Sequence, residues 1–159
     1  MTVNPLQAQI NSIIELYSSG QIHEALNTVE TLIKNYPDEA LLYNISGACY
    51  AGLGQQNAAV KSYEKSLSLK PDYAEAHNNL AVTFQELGQL DTAVKSYEQA
   101  LNLRPDYAEA FNNLGNILRE LGQPDIAVKS YEKILGIRPD FAEAHYNLCL
   151  LYTSDAADE

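Results

Sequence analysis

Proline returns every 34 residues, at Pro37, Pro71, Pro105 and Pro139. Glycine keeps the same period at Gly20, Gly54, Gly88 and Gly122, and alanine at Ala25, Ala59, Ala93 and Ala127. Aligning Ala74–Tyr107 with Ala108–Phe141 gives about 21 identities in 34 positions. A chain repeating itself at this period must build one small unit and stack it, because a unit this short cannot bury its apolar face alone.

Each unit reads as two helices. In the third, Ala76, His77, Leu80, Ala81, Phe84 and Leu87 form one helical stripe, and Ala93, Val94, Tyr97, Ala100 and Leu101 form a second. Gly88 lies between them, where a helix ends most cheaply on a left-handed residue. Pro124 suits the first turn of the fourth unit's second helix, and Pro105 closes the third unit because proline cannot continue a helix. Asp72, Asp106 and Asp140 each stand three residues before a glutamate (Glu75, Glu109, Glu143), a spacing that predicts capping boxes. Nothing in the pattern alternates as a strand does.

These residues resemble the tetratricopeptide repeat, whose signature places aromatics at repeat positions 4, 11 and 24, Leu at 7, a small residue at 8, Ala at 20 and 27, and Pro at 32. The second unit supplies Tyr43, Gly47, Tyr50, Ala59, Tyr63 and Pro71, with Ser46 and Ser66 departing. The third supplies Leu80, Ala81, Phe84, Ala93, Tyr97, Ala100 and Pro105, with His77 in an aromatic slot. The fourth supplies Phe111, Leu114, Gly115, Ala127, Tyr131 and Pro139, with Ile134 in an alanine slot. The first keeps Gly20, Ala25 and Pro37 but has Ser12 and Ile13 where Leu and a small residue belong, as befits a cap. The resemblance implies an all-α, right-handed superhelical solenoid of antiparallel helix pairs, four repeats plus a truncated fifth. The expected boundaries are a divergent first repeat at 4–39, repeats at 40–73, 74–107 and 108–141, and the start of a fifth at 142–148.

Residues 149–159, CLLYTSDAADE, leave the pattern. They match the translated reverse strand of a transposon-end sequencing adapter, and we expect them to be adapter-derived; the alternative is a natural divergent helix with a short acidic tail. Without Asp155, Asp158 and Glu159 the net charge of −11 falls to about −8. On this reading the native chain continues past Leu148, and Leu148, Leu151 and Tyr152 prolong a helix only by accident.

A net charge of −11 argues against nucleic acid, which needs cations to displace phosphate counterions, and against an anionic membrane surface. Two cysteines, no positively charged leader and no long apolar run point to a cytoplasmic protein. Chemistry is sparse. His23, His77 and His145 have no metal-ligand spacing, and the last two replace packing aromatics. Gly52-Leu53-Gly54 ends a helix and is no phosphate loop. Ser62, Ser96 and Ser130 are expected at solvated positions, Cys49 as a small buried hydrophobe, and Tyr63, Tyr97 and Tyr131 in the core. Lys61, Lys95 and Lys129 precede Glu64, Glu98 and Glu132 by three, predicting salt-bridged pairs. No catalytic residue, metal or cofactor is expected.

The informative surface is the other face of each first helix. Glu75, Asn78, Asn79, Val82, Gln85 and Glu86 share one side of the third unit's helix. Glu109, Asn112, Asn113, Asn116, Arg119 and Glu120 match them one repeat on, and Asn147 continues the series. The resemblance makes this side the concave groove. Asn79, Asn113 and Asn147 at position 6 form a ladder with Asn78 and Asn112 beside it, similar to the asparagine ladder of O-GlcNAc transferase. Amides donate and accept, so they suit an extended peptide backbone; the alternative is that asparagine is common at position 6 and hydrogen-bonds locally. The clamp that grips acidic chaperone tails needs Lys at position 5 and cations at position 2 of a later repeat. Here those positions hold Asn44, Asn78, Asn112 and Tyr146, and Leu41, Glu75, Glu109 and Glu143, so the clamp is not expected. The chain thus reads as a non-catalytic scaffold for a peptide or partner protein. The alternative is the recognition arm of a larger bacterial enzyme: a sulfotransferase, a glycosyltransferase or a 2-oxoglutarate/iron oxygenase.

Overall fold

The computed structural model describes residues 4–155. Among them are nine helices and no strand: α1 Pro5–Ser18, α2 Ile22–Asn35, α3 Ala40–Gly52, α4 Gln56–Leu69, α5 Ala74–Glu86, α6 Leu90–Leu103, α7 Ala108–Glu120, α8 Pro124–Ile137 and α9 Ala142–Asp155. Each helix packs on the next. The odd-numbered helices from α3 to α9 also touch one another across the repeat, and the even-numbered ones make no comparable contact. A stack in closer contact along one side curves toward that side, so the odd-numbered helices line its inner face. This is an all-α solenoid of the kind the repeat predicts.

The turns within repeats follow one design. Gly20, Gly54, Gly88 and Gly122 all have φ between 72° and 82°. At Gly88 the chain closes α5 with two bonds, Gly88 N–H to the Gln85 carbonyl at 2.9 Å and Gln89 N–H to the Phe84 carbonyl at 2.8 Å. A side chain at that φ would cost conformational energy that glycine avoids. Pro124 occupies the first turn of α8, as its position predicts.

The capping boxes are not formed where they can be inspected. The cap residues of α5 and α7 are Tyr73 and Tyr107, and neither helix has a side-chain cap bond. Each helix starts one residue later than the motif requires, which leaves Asp72 and Asp106 outside the cap. The glutamates are engaged elsewhere: Glu75 with Arg104 and Glu109 with Arg138, the last at 3.1 Å. Each arginine follows the second helix of its hairpin, so these ion pairs tie the open ends of the third and fourth repeats together. They are the only ion pairs among the described residues, and the expected Lys–Glu pairs on the second helices are not among them. Exposed pairs on flexible stems gain little from closing.

Three apolar clusters run along the stack. Tyr97 and Tyr131 are wholly buried and Tyr63 nearly so. Ser66, in an alanine slot, is buried and donates to the Ala40 carbonyl at 2.8 Å, which satisfies its hydroxyl. The serine expectation needs correction: Ser130 is buried, bonding the Ile126 carbonyl at 3.3 Å, and Ser62 and Ser96 are half-buried. Helix α9 continues through Cys149 to Asp155, with Leu151 buried, so the helical path runs past the expected boundary at 148. Residues 156–159 of the adapter-like segment lie outside the described residues.

Candidate functional site

The inner face starts from a small-for-large exchange in the second, third and fourth hairpins. At Gly47 and Gly115 a Cβ would lie 2.6 Å and 2.7 Å from the rings of Tyr63 and Tyr131. The missing side chain on the first helix is what lets the tyrosine of the second helix lie flat beneath it. Its hydroxyl then emerges among inner-face residues. Tyr131 donates to Asn116 Oδ1 at 2.6 Å, and Tyr97 to Gln85 Oε1 at 3.3 Å. Burial raises the pKa of all three phenols; Asn113, within hydrogen-bonding reach of Tyr97, opposes that rise, and Glu86 adds to it for Tyr63 and Tyr97. The tyrosines are core residues by their rings and inner-face residues by their tips.

The asparagines are organised across repeats. Asn79 Nδ2 donates to Asn44 Oδ1 at 3.2 Å, and Asn147 Nδ2 to Asn112 Oδ1 at 3.1 Å. A position-6 amide thus reaches the position-5 amide one repeat earlier. Asn112 also donates to Glu143 Oε2 at 3.1 Å. The middle rung is not made. Asn78 is buried with Oδ1 unpartnered, while the half-buried Asn113 lies beside Tyr97. Local amide pairing therefore accounts for two rungs and fails at the third.

The remaining candidates lie on the same helices. Burial pushes the Glu75 carboxyl up, but the Arg104 guanidinium, its own backbone amide and Lys70 outweigh this and hold it below its usual value. Glu86 Oε2 accepts from Gln56 Nε2 at 2.6 Å. Val82 and Asn79 line a cleft of about 290 Å³ with Glu86. Arg119 and Glu120 are exposed at the far end of α7.

Comparison with known proteins settles the class. The family described as TPR repeat matches residues 47–88 and 83–122, and the one described as Tetratricopeptide repeat matches 108–141. The chain belongs to the tetratricopeptide repeat family. Among solved structures, the crystal structure of MamA superposes with a TM-score of 0.83 over 98% of this chain and 87% of that one, at 23% identity. YrrB, a TPR protein with an unusual peptide-binding site, gives a TM-score of 0.75 over 93% and 76%, at 22% identity. The first TPR of Spaghetti (RPAP3), bound to the HSP90 peptide SRMEEVD, gives 0.71 over 74% and 96%, at 24% identity. These likenesses establish the tetratricopeptide fold. No curated protein matches the sequence.

The tetratricopeptide repeat is typically a module of protein interaction. Among the described residues no group of His, Cys, Asp and Glu is placed to hold a metal ion, and no helix is long and apolar enough to cross a membrane. Cys49 is fully buried and its thiol is pushed up to about 11 by desolvation, which keeps it protonated and inert at neutral pH. His77 and His145 place Nε2 at 3.0 Å and 2.8 Å from the Pro71 and Pro139 carbonyls, and Tyr43 donates to the Pro37 carbonyl at 3.0 Å. Except at Phe111, position 4 thus ties the start of a first helix to the preceding proline turn.

Sequence reasoning passed over the cleft's other walls: Tyr17 of α1, Ala48, Ala51 and Gly52 of α3, Tyr63 of α4 and Thr83 of α5. The available signal was size. Positions 9, 12 and 13 are Ala48, Ala51 and Gly52 in the second repeat but Val82, Gln85 and Glu86 in the third.

Proposed function

We propose that this chain is a scaffold whose inner face holds an extended segment of a partner protein, through the asparagines of α5, α7 and α9. The observation that carries this reading is the incomplete amide ladder. Asn78 keeps a buried acceptor without a partner, next to Asn79 and Asn113, which are half-buried and retain spare donor and acceptor capacity. That acceptor is covered from solvent, so a bound segment would bond instead to the part-exposed amides of Asn79 and Asn113 beside the open rung. An extended backbone presents alternating donors and acceptors, the groups these amides accept and offer. The peptide-binding descriptions of YrrB and of the Spaghetti repeat support the same reading by analogy of fold.

The ligand on this reading is neither nucleic acid nor an anionic membrane, given the net charge of −11. Nor is it an acidic carboxyl-terminal tail, since Asn44, Asn78 and Asn112 stand where that clamp needs lysine, and Glu75, Glu109 and Glu143 where it needs cations.

The test is a random peptide display library panned on the whole chain, with selected peptides titrated against Asn79→Ala/Asn113→Ala. Losing these amide contacts should weaken binding about tenfold while the fold is retained by circular dichroism. Selected peptides that bind the double variant equally well would remove the inner face as the binding surface.

A further inference from the structure

The cleft between the first three repeats has a composition that the rest of the inner face lacks. Its floor is apolar and nearly bare of side chain: Ala48, Ala51 and Gly52 on α3, faced by Val82 on α5. A Cβ at Gly52 would lie 3.1 Å from Ile22 Cδ1, so a larger residue there would press on that side chain. Tyr17 is part-exposed and forms one aromatic wall; Tyr63 brings its hydroxyl to another. At the rim stands Glu86.

Glu86 differs from Glu75 and Glu109 in how its charge is met. Arg104 and Arg138 neutralise Glu75 and Glu109. Glu86 has only the neutral amide of Gln56, bonded to Oε2, and no cation among the described residues pairs with it. Its field reaches into the cleft, where it helps to raise the Tyr63 pKa.

A carboxylate at the mouth, aromatic walls and an apolar floor together match one kind of side chain: a long apolar stem carrying a positive head. We propose that this cleft is the anchor pocket for a lysine or arginine of the bound segment. The stem lies over Ala48, Ala51 and Val82, and the head meets the Glu86 carboxylate beside the Tyr17 ring. At about 290 Å³ the cleft takes one such side chain. The proposal rests on peptide binding along the inner face and adds to it a charge requirement and a register, because one pocket at one junction fixes where the segment sits.

Four capped, extended octapeptides of alternating Ser and Ala, with a central Lys, Arg, norleucine or Glu, test it against the assigned amide NMR spectrum of the whole chain at millimolar peptide. The Lys and Arg peptides should shift the Gly52, Val82 and Glu86 amides, and the norleucine and Glu peptides should leave them in place. Glu86→Gln should weaken the Lys peptide about fivefold or more, with the effect shrinking as salt is raised. Ala51→Leu, which fills the cleft, should abolish the shifts with the melting transition retained. Equal response to norleucine, or an unchanged Lys affinity in Glu86→Gln, overturns the cationic anchor. Shifts at Asn113 and Asn147 with all four peptides but none in the cleft also overturn it and leave the inner-face reading standing; no shift anywhere overturns both.

Discussion

The first hairpin and the three after it solve the same packing problem in opposite ways. In the first repeat, positions 8 and 24 are Ile13 and Val29, both fully buried. In the later repeats they are Gly47 with Tyr63, Ala81 with Tyr97 and Gly115 with Tyr131, small on the first helix and large on the second. Two medium side chains and a small–large pair fill comparable space, which is why the hairpin survives the exchange. The consequences differ. A valine ends inside the core, whereas a tyrosine carries a hydroxyl through it to the inner face, where it bonds Gln85 or Asn116. The first repeat therefore keeps this pair wholly inside the core, and the later ones bring polar tips to the inner face.

Three substitutions probe that contrast. Tyr131→Ala leaves Gly115 facing an empty space, and should cost about 3–5 kcal/mol in chemical denaturation, as large-to-small changes of aromatic core residues do. A loss near that of an exposed residue would mean the ring is not what holds the hairpin. Gly115→Ile recreates the first repeat's position 8 against an unchanged tyrosine. With a Cβ already 2.7 Å from Tyr131 Cε1, overpacking should cost about 1–3 kcal/mol. Adding Tyr131→Val should restore much of the loss, because the pair then copies Ile13 and Val29; strict additivity of the two changes would break the comparison. Tyr131→Phe keeps the ring and removes only the bond to Asn116, for about 0.5–1.5 kcal/mol in the same assay. If it costs nothing, the tip serves the inner face without stabilising the hairpin.

Much of the fold was legible before any coordinates. The positive φ at Gly88, the helix start at Pro124 and the buried stripe through Leu80, Ala81 and Leu114 are local or periodic properties, and local sterics and periodicity act through neighbours in the chain. The capping boxes misled for a related reason: Asp-x-x-Glu spacing is compatible with a cap, but the helix begins one residue later and Glu75 finds Arg104, 29 residues on. The asparagines were visible as a series, and their partners were not, since Asn79 to Asn44 and Asn147 to Asn112 each span 35 residues.

From its letters alone the chain committed itself to identical helical hairpins, their turns and the sides they bury, because those follow from a period that no other secondary structure satisfies. What the stacking decided was which polar groups meet: arginine with glutamate across a hairpin, amide with amide across a repeat, and glutamate with a neutral amide at the rim of a cleft. Such meetings depend on angles and offsets between units, set by the summed shapes of many packed side chains, and no short stretch of sequence encodes them.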